Sequence, residues 1–304
     1  MWVRCHVVAP PRSTVAVVKI RNGTVELHVA SDGDPAAPPI LLLHGITSHG
    51  RTWDWIVPDL AERFRVLRLD FRGHGLSDRA PDGYTPEGYL GDAVAVCEQL
   101  AGQPCIVIGH SLGGAVAGAM AQRRPELLRS AVMEDPPLGV AGNRPGRTDR
   151  TLLDSFAMMR RSVPRIQGTG MAEGALAELL MVAPGPSGAS FGASLHPDGI
   201  VAMAGSMLAV DAAVLDPILE GTFGRLLDPD APFGVPTLIV CADPEVPGTV
   251  ADPEVAGRFS DSSPGSAVVV IDGAGHLIHD EKASRDRFRE AVVSFVDGVV
   301  ASAR

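Results

Sequence analysis

Lysine is almost missing from this chain of 304 residues, two standing beside 24 arginines. Acidic side chains outnumber basic ones, 36 to 26, for a formal net charge of −10. A surface of that sign excludes nucleic acid and anionic membranes as expected partners. The lysine deficit reads as a bias of genome composition and carries no functional information. Cysteine is scarce as well: Cys5, Cys97, Cys105 and Cys241 form no C-x-x-C pair. Cys97 and Cys105 read as small buried thiols. No His/Asp/Glu cluster has metal-ligand spacing, so no metal and no cofactor are expected. A charged-then-apolar leader and an apolar run of about 18 residues are both lacking, which makes a cytoplasmic protein the expectation. No internal repeat is found.

What is present can build a large core. Hydrophobic residues make up 45% and charged residues 20% of the chain, the balance of a globular protein. The length fits one large domain or a core with an inserted subdomain, and 34 Gly with 25 Pro imply many turns.

The chain is organised around Pro104 to Gly114. Ile106, Val107 and Ile108 form a short β-branched run that reads as a buried parallel strand. Gly109-His110-Ser111-Leu112-Gly113 follows at once, and Ala115 to Gln122 reads as a helix. Strand, tight turn and helix give a G-x-S-x-G pattern its mechanism. The turn strains the serine backbone, small flanking residues let strand and helix approach, and the helix N-terminus offers unpaired N–H groups to an oxyanion. Ser111 is therefore the candidate nucleophile. A second match, Gly188-Ala189-Ser190-Phe191-Gly192, follows Pro- and Gly-rich sequence with no apolar strand before it and reads as a flexible loop.

In chain order, strands are expected at Trp2–Val8, Val15–Arg21 and Thr24–Ala30, with a turn at Asn22-Gly23. Ile40–Leu43 is a buried strand running into His44-Gly45-Ile46-Thr47. Trp53, Ile56, Val57 and Leu60 have helical spacing, with Trp53 and Trp55 read as core or pocket wall. A strand over Phe64–Leu69 ends in Asp70-Phe71-Arg72-Gly73-His74-Gly75-Leu76-Ser77. Tyr89, Ala93, Val96 and Leu100 mark an amphipathic helix, and Ala131–Met133 is a strand stopping at Glu134-Asp135-Pro136. From Leu138 to Gly234 the alternation is lost among helical pieces (Leu152–Arg161, Ala172–Val182, Ala202–Leu219). It resumes with a strand over Pro236–Ala242, a helix over 252–259, a strand over Ala267–Ile271, Gly273-Ala274-Gly275-His276 and a closing helix through Phe288, Val292, Phe295 and Val299. Alternating strands and helices predict an α/β fold, a mostly parallel twisted sheet of about eight strands with helices on both faces.

These residues together resemble the α/β-hydrolase superfamily over essentially the whole chain. The likeness rests on His44-Gly45, Asp70-x-Arg72-Gly73-His74-Gly75-x-Ser77, Gly109-x-Ser111-x-Gly113 and Gly273-x-Gly275-His276, in the order that family uses. It implies a core over 1–137 and 235–304 with a mainly helical cap inserted over 138–234. His276, past a strand end, is the expected base, since histidine can take and return a proton near neutral pH. His279 is a minor rival, expected on the surface. His44 and His110 read as turn-packing residues and His74 as structural. The resemblance implies an oxyanion hole from the backbone N–H groups of Ile46 and Leu112.

The acid is left between positions. The family's usual acid follows the penultimate strand, where this chain reads Ala242-Asp243-Pro244-Glu245. Members resembling haloalkane dehalogenases and zearalenone-opening lactonases take it after the strand that follows the serine helix, and Asp135 falls there. Asp135 is preferred, Asp243 is the alternative, and Glu245 and Glu134 remain behind both. The implied activity is hydrolysis of a carboxylic ester or lactone of a hydrophobic small molecule through an acyl-enzyme on Ser111. A zearalenone-like macrolactone is one candidate substrate. C–C bond hydrolysis, perhydrolysis and a slow-turnover ligand receptor are the alternatives. Met158, Met159, Met171, Met181, Met203 and Met207 suggest an adaptable apolar cap, or simply packing of the cap. Homo-oligomerisation is left open.

Overall fold

A computed structural model describes residues 16–138, 151–185 and 188–302. The strand expected over Trp2–Val8 lies outside them. Eight strands form one sheet in the order β1-β2-β4-β3-β5-β6-β7-β8. β1 (Ala16–Asn22) and β2 (Val25–Asp32) are an antiparallel hairpin. Its turn is centred on Gly23-Thr24, one residue later than expected. Gly23 takes φ 61°, the left-handed backbone that a type II′ turn needs at its first central position. β2 pairs antiparallel with β4 (Arg65–Leu69). From β4 onward every pairing is parallel, through β3 (Pro39–Leu43), β5 (Cys105–His110), β6 (Leu128–Glu134), β7 (Thr237–Ala242) and β8 (Ala267–Ile271).

The central strands are apolar at nearly every position because both faces are covered. Leu41, Leu43, Val107, Met133 and Ile239 enter one cluster with α2 (Pro86–Val96) and α3 (Leu112–Arg123). Ile40, Leu42, Ile106, Ile108 and Val240 enter the other with α1 (Val57–Ala61) and α10 (Arg285–Ser302). Full burial of each such side chain is worth about 1.5–3 kcal/mol. α1 is only five residues long and follows a 3-10 turn over Gly50–Trp53, so the helix expected through Trp53–Leu60 is shorter than its apolar spacing suggests.

Between β6 and β7 lie α4 (Thr151–Gly168), α5 (Glu173–Val182), α6 (Phe191–Ser194), α7 (Pro197–Ala209) and α8 (Asp216–Leu219). The single helix expected over Ala202–Leu219 is broken. Val210 is extended, and Asp211 caps the next turn through its carboxylate, which accepts the Ala213 N–H at 3.0 Å. Asp211 also ties this segment to the sheet: its N–H donates to Gly73 O, and it accepts from the Tyr84 hydroxyl at 2.8 Å. Met171, Met181, Met203 and Met207 pack around Leu176, Leu195 and Ile200 in a small core that Leu277, from the loop after β8, also joins. Of the six methionines only Met158 is largely exposed, so this face is not an open methionine surface. Among the described residues no single helix is long and apolar enough to cross a membrane.

α9 (Pro253–Asp261) lies between β7 and β8. The parallel strands deliver their following loops to one edge of the sheet, where α/β folds hold their ligands.

Candidate active site

β5 ends in a turn that only its glycines allow. A Cβ on Gly109 would lie 2.1 Å from Gly113 O, and one on Gly113 would lie 2.3 Å from Leu43 O. With that contact permitted, Ser111 is driven to φ 50° and ψ −113°, a backbone region costly for any residue with a Cβ. Its N–H is tied to Glu134 O at 2.8 Å on the neighbouring strand. The hydroxyl is thus held above the strand ends at the start of α3.

The loop after β8 brings His276 to it. His276 Nε2 lies 3.1 Å from Ser111 Oγ, and Nδ1 lies 2.6 Å from Asp135 Oδ2. That 2.6 Å contact is in the range of a charge-assisted bond. Asp135 is fully buried, at φ 36°, one residue past β6. Its carboxylate also accepts the Ala242, Val250 and Ala251 N–H groups at 3.2, 3.0 and 3.1 Å. Three backbone N–H groups thus hold the carboxylate in place beside the imidazole.

The loop after β3 supplies the other wall. Gly45 packs against the His110 ring, 2.7 Å from where its Cβ would be. Thr47 has φ 67° and donates its N–H to His74 Nε2 at 3.1 Å. His74 Nδ1 donates to Arg72 O at 2.9 Å, while His44 Nδ1 donates to Gly45 O and His44 Nε2 accepts the Phe71 N–H. Each ring is therefore fixed in a neutral form. Burial, with the neighbouring His74 next, pulls His44 down to about 3, and burial pulls His74 down to about 4. The N–H groups of Ile46 and Leu112 find no acceptor among the described residues.

The other acidic positions lie elsewhere. Asp243 is partly exposed and bridges two loops, accepting the Glu245 N–H of its own loop and the Gly273 N–H of the loop after β8 at 2.8 Å each. Those bonds hold its carboxyl below the usual range. Glu245 is exposed. Glu134 faces the opposite way from Asp135 and meets His279, whose Nδ1 lies 2.8 Å from Glu134 Oε2. His279 is not on the surface, as its sequence position suggested, but 1% exposed beneath Trp53, with ring centroids 4.5 Å apart. Burial pulls this imidazole down, but the Glu134 and Asp280 carboxylates outweigh it and raise it above its ordinary value. His110 packs between His276 and His279 and bonds His276 O at 2.9 Å. Ser190 is no flexible-loop residue: its Oγ accepts the Ala193 N–H and caps α6. Among the described residues no group of three His, Cys, Asp or Glu could hold a metal ion.

A family model described as the alpha/beta hydrolase family matches residues 40–291. The chain belongs to that family. A 2-(acetamidomethylene)succinate hydrolase of Mesorhizobium japonicum is 36% identical over 117 residues, 38% of this chain and 41% of that protein. An sn-1-specific diacylglycerol lipase of Mus musculus is 26% identical over 278 residues, 87% of this chain and 83% of its own. The chain spans less than half the length of the first curated relatives it matches, 41%, 40% and 45%. The crystal structure of an E-2-(acetamidomethylene)succinate hydrolase aligns with a TM-score of 0.70 at 23% identity, covering 93% of this chain and 99% of that one. A thermophilic esterase from Thermogutta terrifontis aligns with a TM-score of 0.66 at 24% identity, over 93% and 99% of the two chains. Identities that low speak to fold alone.

In this alpha/beta hydrolase, two features of the site escape sequence reasoning. Glu281 accepts the Gly275 N–H at 2.8 Å and so shapes the turn that presents His276. The Glu134–His279 contact spans 145 residues of chain. The His276-x-x-His279 spacing is a local signal for the second; the first has none.

Proposed function

We propose that the protein is a serine hydrolase that cleaves a carboxylic ester or lactone of a hydrophobic small molecule. The observation that carries this reading is the unbroken chain Ser111 Oγ–His276 Nε2 and Nδ1–Asp135 Oδ2, at 3.1 and 2.6 Å. In this mechanism His276 Nε2 takes the Ser111 proton as Oγ attacks the carbonyl carbon, and the Ile46 and Leu112 N–H groups hold the resulting oxyanion. His276 then gives that proton to the departing alkoxide, leaving an acyl group on Ser111. Water, deprotonated by the same imidazole, releases the acid. Asp135 keeps the proton on Nδ1 and stabilises the imidazolium.

The preference for an apolar substrate is supported by what adjoins the serine turn. Leu138, Phe156, Val210 and Leu215 belong to the same extended buried cluster as Ile46 and Leu112, which is consistent with the helices between β6 and β7 serving as an apolar cap. The test is a serine-directed fluorophosphonate read by intact mass, followed by turnover of short acyl esters and bulky apolar lactones. Ser111→Ala is expected to abolish labelling and to cut turnover by several orders of magnitude. His276→Ala should match it in turnover, and the double mutant should be no worse, because nucleophile and base act as one unit. A double mutant far worse than either would sink the shared-unit mechanism. Labelling without turnover on any ester or lactone would favour a receptor, and preference for acetyl or highly charged esters would count against an apolar substrate.

A further inference from the structure

Glu134 bonds Ser111, immediately precedes Asp135 and holds the loop that carries His276 through His279. Its carbonyl oxygen accepts the Ser111 N–H at 2.8 Å. Its peptide leads directly into Asp135 and the φ 36° turn that aims that carboxylate. Its own carboxylate accepts the His279 backbone N–H at 2.9 Å and faces His279 Nδ1 at 2.8 Å, three residues beyond His276. On the far side of the ring, His279 Nε2 meets Thr52 Oγ1 at 2.9 Å. Glu134 and His279 are 0% and 1% exposed.

A buried histidine–carboxylate pair of this kind adds little stability over apolar packing of the same volume, because both groups lose their hydration. What it does supply is one defined geometry, since misaligning it leaves a buried polar group without its partner. A base displaced by about 1 Å from its nucleophile loses about 100-fold in rate. We propose that Glu134 and His279 are positioning residues that lock the His276 loop, the Asp135 turn and the serine turn into a single register. This rests on Ser111 being the nucleophile. A competing hold on the same loop comes from the inserted helices: His196 N–H donates to Asp280 O, Lys282 N–H to Ser194 O, and Arg285 pairs with Asp198 at 2.8 Å. If that grip sufficed, the Glu134–His279 bond would be dispensable.

The experiment measures the rate at which a fluorophosphonate labels Ser111, by intact mass, together with kcat and KM on whichever ester is turned over. His279→Asn keeps an amide N–H where Nδ1–H stands and so keeps the bond to Glu134. His279→Gln reaches the Nε2 position instead and leaves Glu134 without that donor. Glu134→Gln replaces one carboxylate oxygen by an NH2 group at nearly constant volume. His279→Gln and Glu134→Gln should each slow labelling and kcat by about tenfold or more with KM within about twofold, and their combination should be no worse than the slower one by more than about threefold. His279→Asn should retain at least about a third of the wild-type rate. Circular dichroism accompanies each variant, and the two His279 variants decide the matter if Glu134→Gln fails to fold. Labelling at the wild-type rate in His279→Gln would overturn the proposal, as would a His279→Asn variant as slow as His279→Gln. Wild-type protein that is not labelled at Ser111 would fell the nucleophile reading itself, a failure visible before any variant is made.

Discussion

Replacing Asp135 by asparagine tests the acid assignment, and the outcome can be worked from its contacts. Oδ1 accepts the Ala242 and Ala251 N–H groups, while Oδ2 accepts the Val250 N–H and faces His276 Nδ1. An amide must put its NH2 group at one of these places. At Oδ1 it would confront two buried N–H donors and leave both unpaired, at about 1–3 kcal/mol each. At Oδ2 it confronts the Val250 N–H and His276 Nδ1, and the imidazole can relieve its part of the conflict by changing tautomer. The second orientation therefore wins, and it puts the proton on Nε2, facing Ser111 Oγ. A ring so protonated cannot take the serine proton. Such a tautomer error costs about 10⁴ in rate, about 5.4 kcal/mol of barrier at about 1.36 kcal/mol per decade. Asp135→Asn is expected to lose at least about a thousandfold in kcat/KM with normal circular dichroism and a melting temperature lowered by no more than the one unpaired Val250 N–H costs, about 1–3 kcal/mol. Asp243→Asn, made beside it, keeps one of two loop bonds and should lose less than about tenfold. Full activity in Asp135→Asn with a dead Asp243→Asn would refute the reasoning.

Acid should destabilise the protein before any carboxylate titrates in the unfolded chain. His44 and His74 are held neutral, at about 3 and about 4 in the folded state, while an unfolded histidine protonates near 6.5. The unfolded chain therefore binds more protons, and stability is lost as pH falls from about 6.5 toward about 4, by at most about 1.4 kcal/mol per pH unit for each ring. A urea midpoint unchanged between pH 7.5 and 5 would contradict this. Gly113→Ala would force a Cβ to 2.3 Å from Leu43 O, and a loss of at least about 3 kcal/mol is expected; a melting temperature within a few degrees of wild type would show that the turn can relax. Ser190→Ala removes the cap of α6 at about 1 kcal/mol or less, and turnover within about twofold of wild type checks that this second G-x-S-x-G takes no part in the chemistry.

The serine turn was legible in the sequence because its causes are local. The run Ile106–Ile108, two glycines that no Cβ could replace, and the helix after them specify strand, strained turn and helix within about ten residues. The order of the motifs and the loop after the last strand pointed to His276 for the same reason: a strand end is a local signal, and parallel strands put their ends at one edge. Which carboxylate meets His276 was of another kind. Asp135 and Asp243 both follow strand ends, and both follow from the alternation of strands and helices. The choice lies in the φ 36° turn at Asp135 and in N–H donors 107 to 116 residues further along the chain, while the Asp243 carboxylate is taken up by the Glu245 and Gly273 N–H groups. His279 shows the same limit from the opposite side. A polar residue in a polar loop reads as surface, and only packing brings Glu134, from 145 residues away, and Trp53 around it. Sequence determines what adjacent residues make of one another; the desolvation and pairing of a buried charge depend on neighbours that only the tertiary fold supplies.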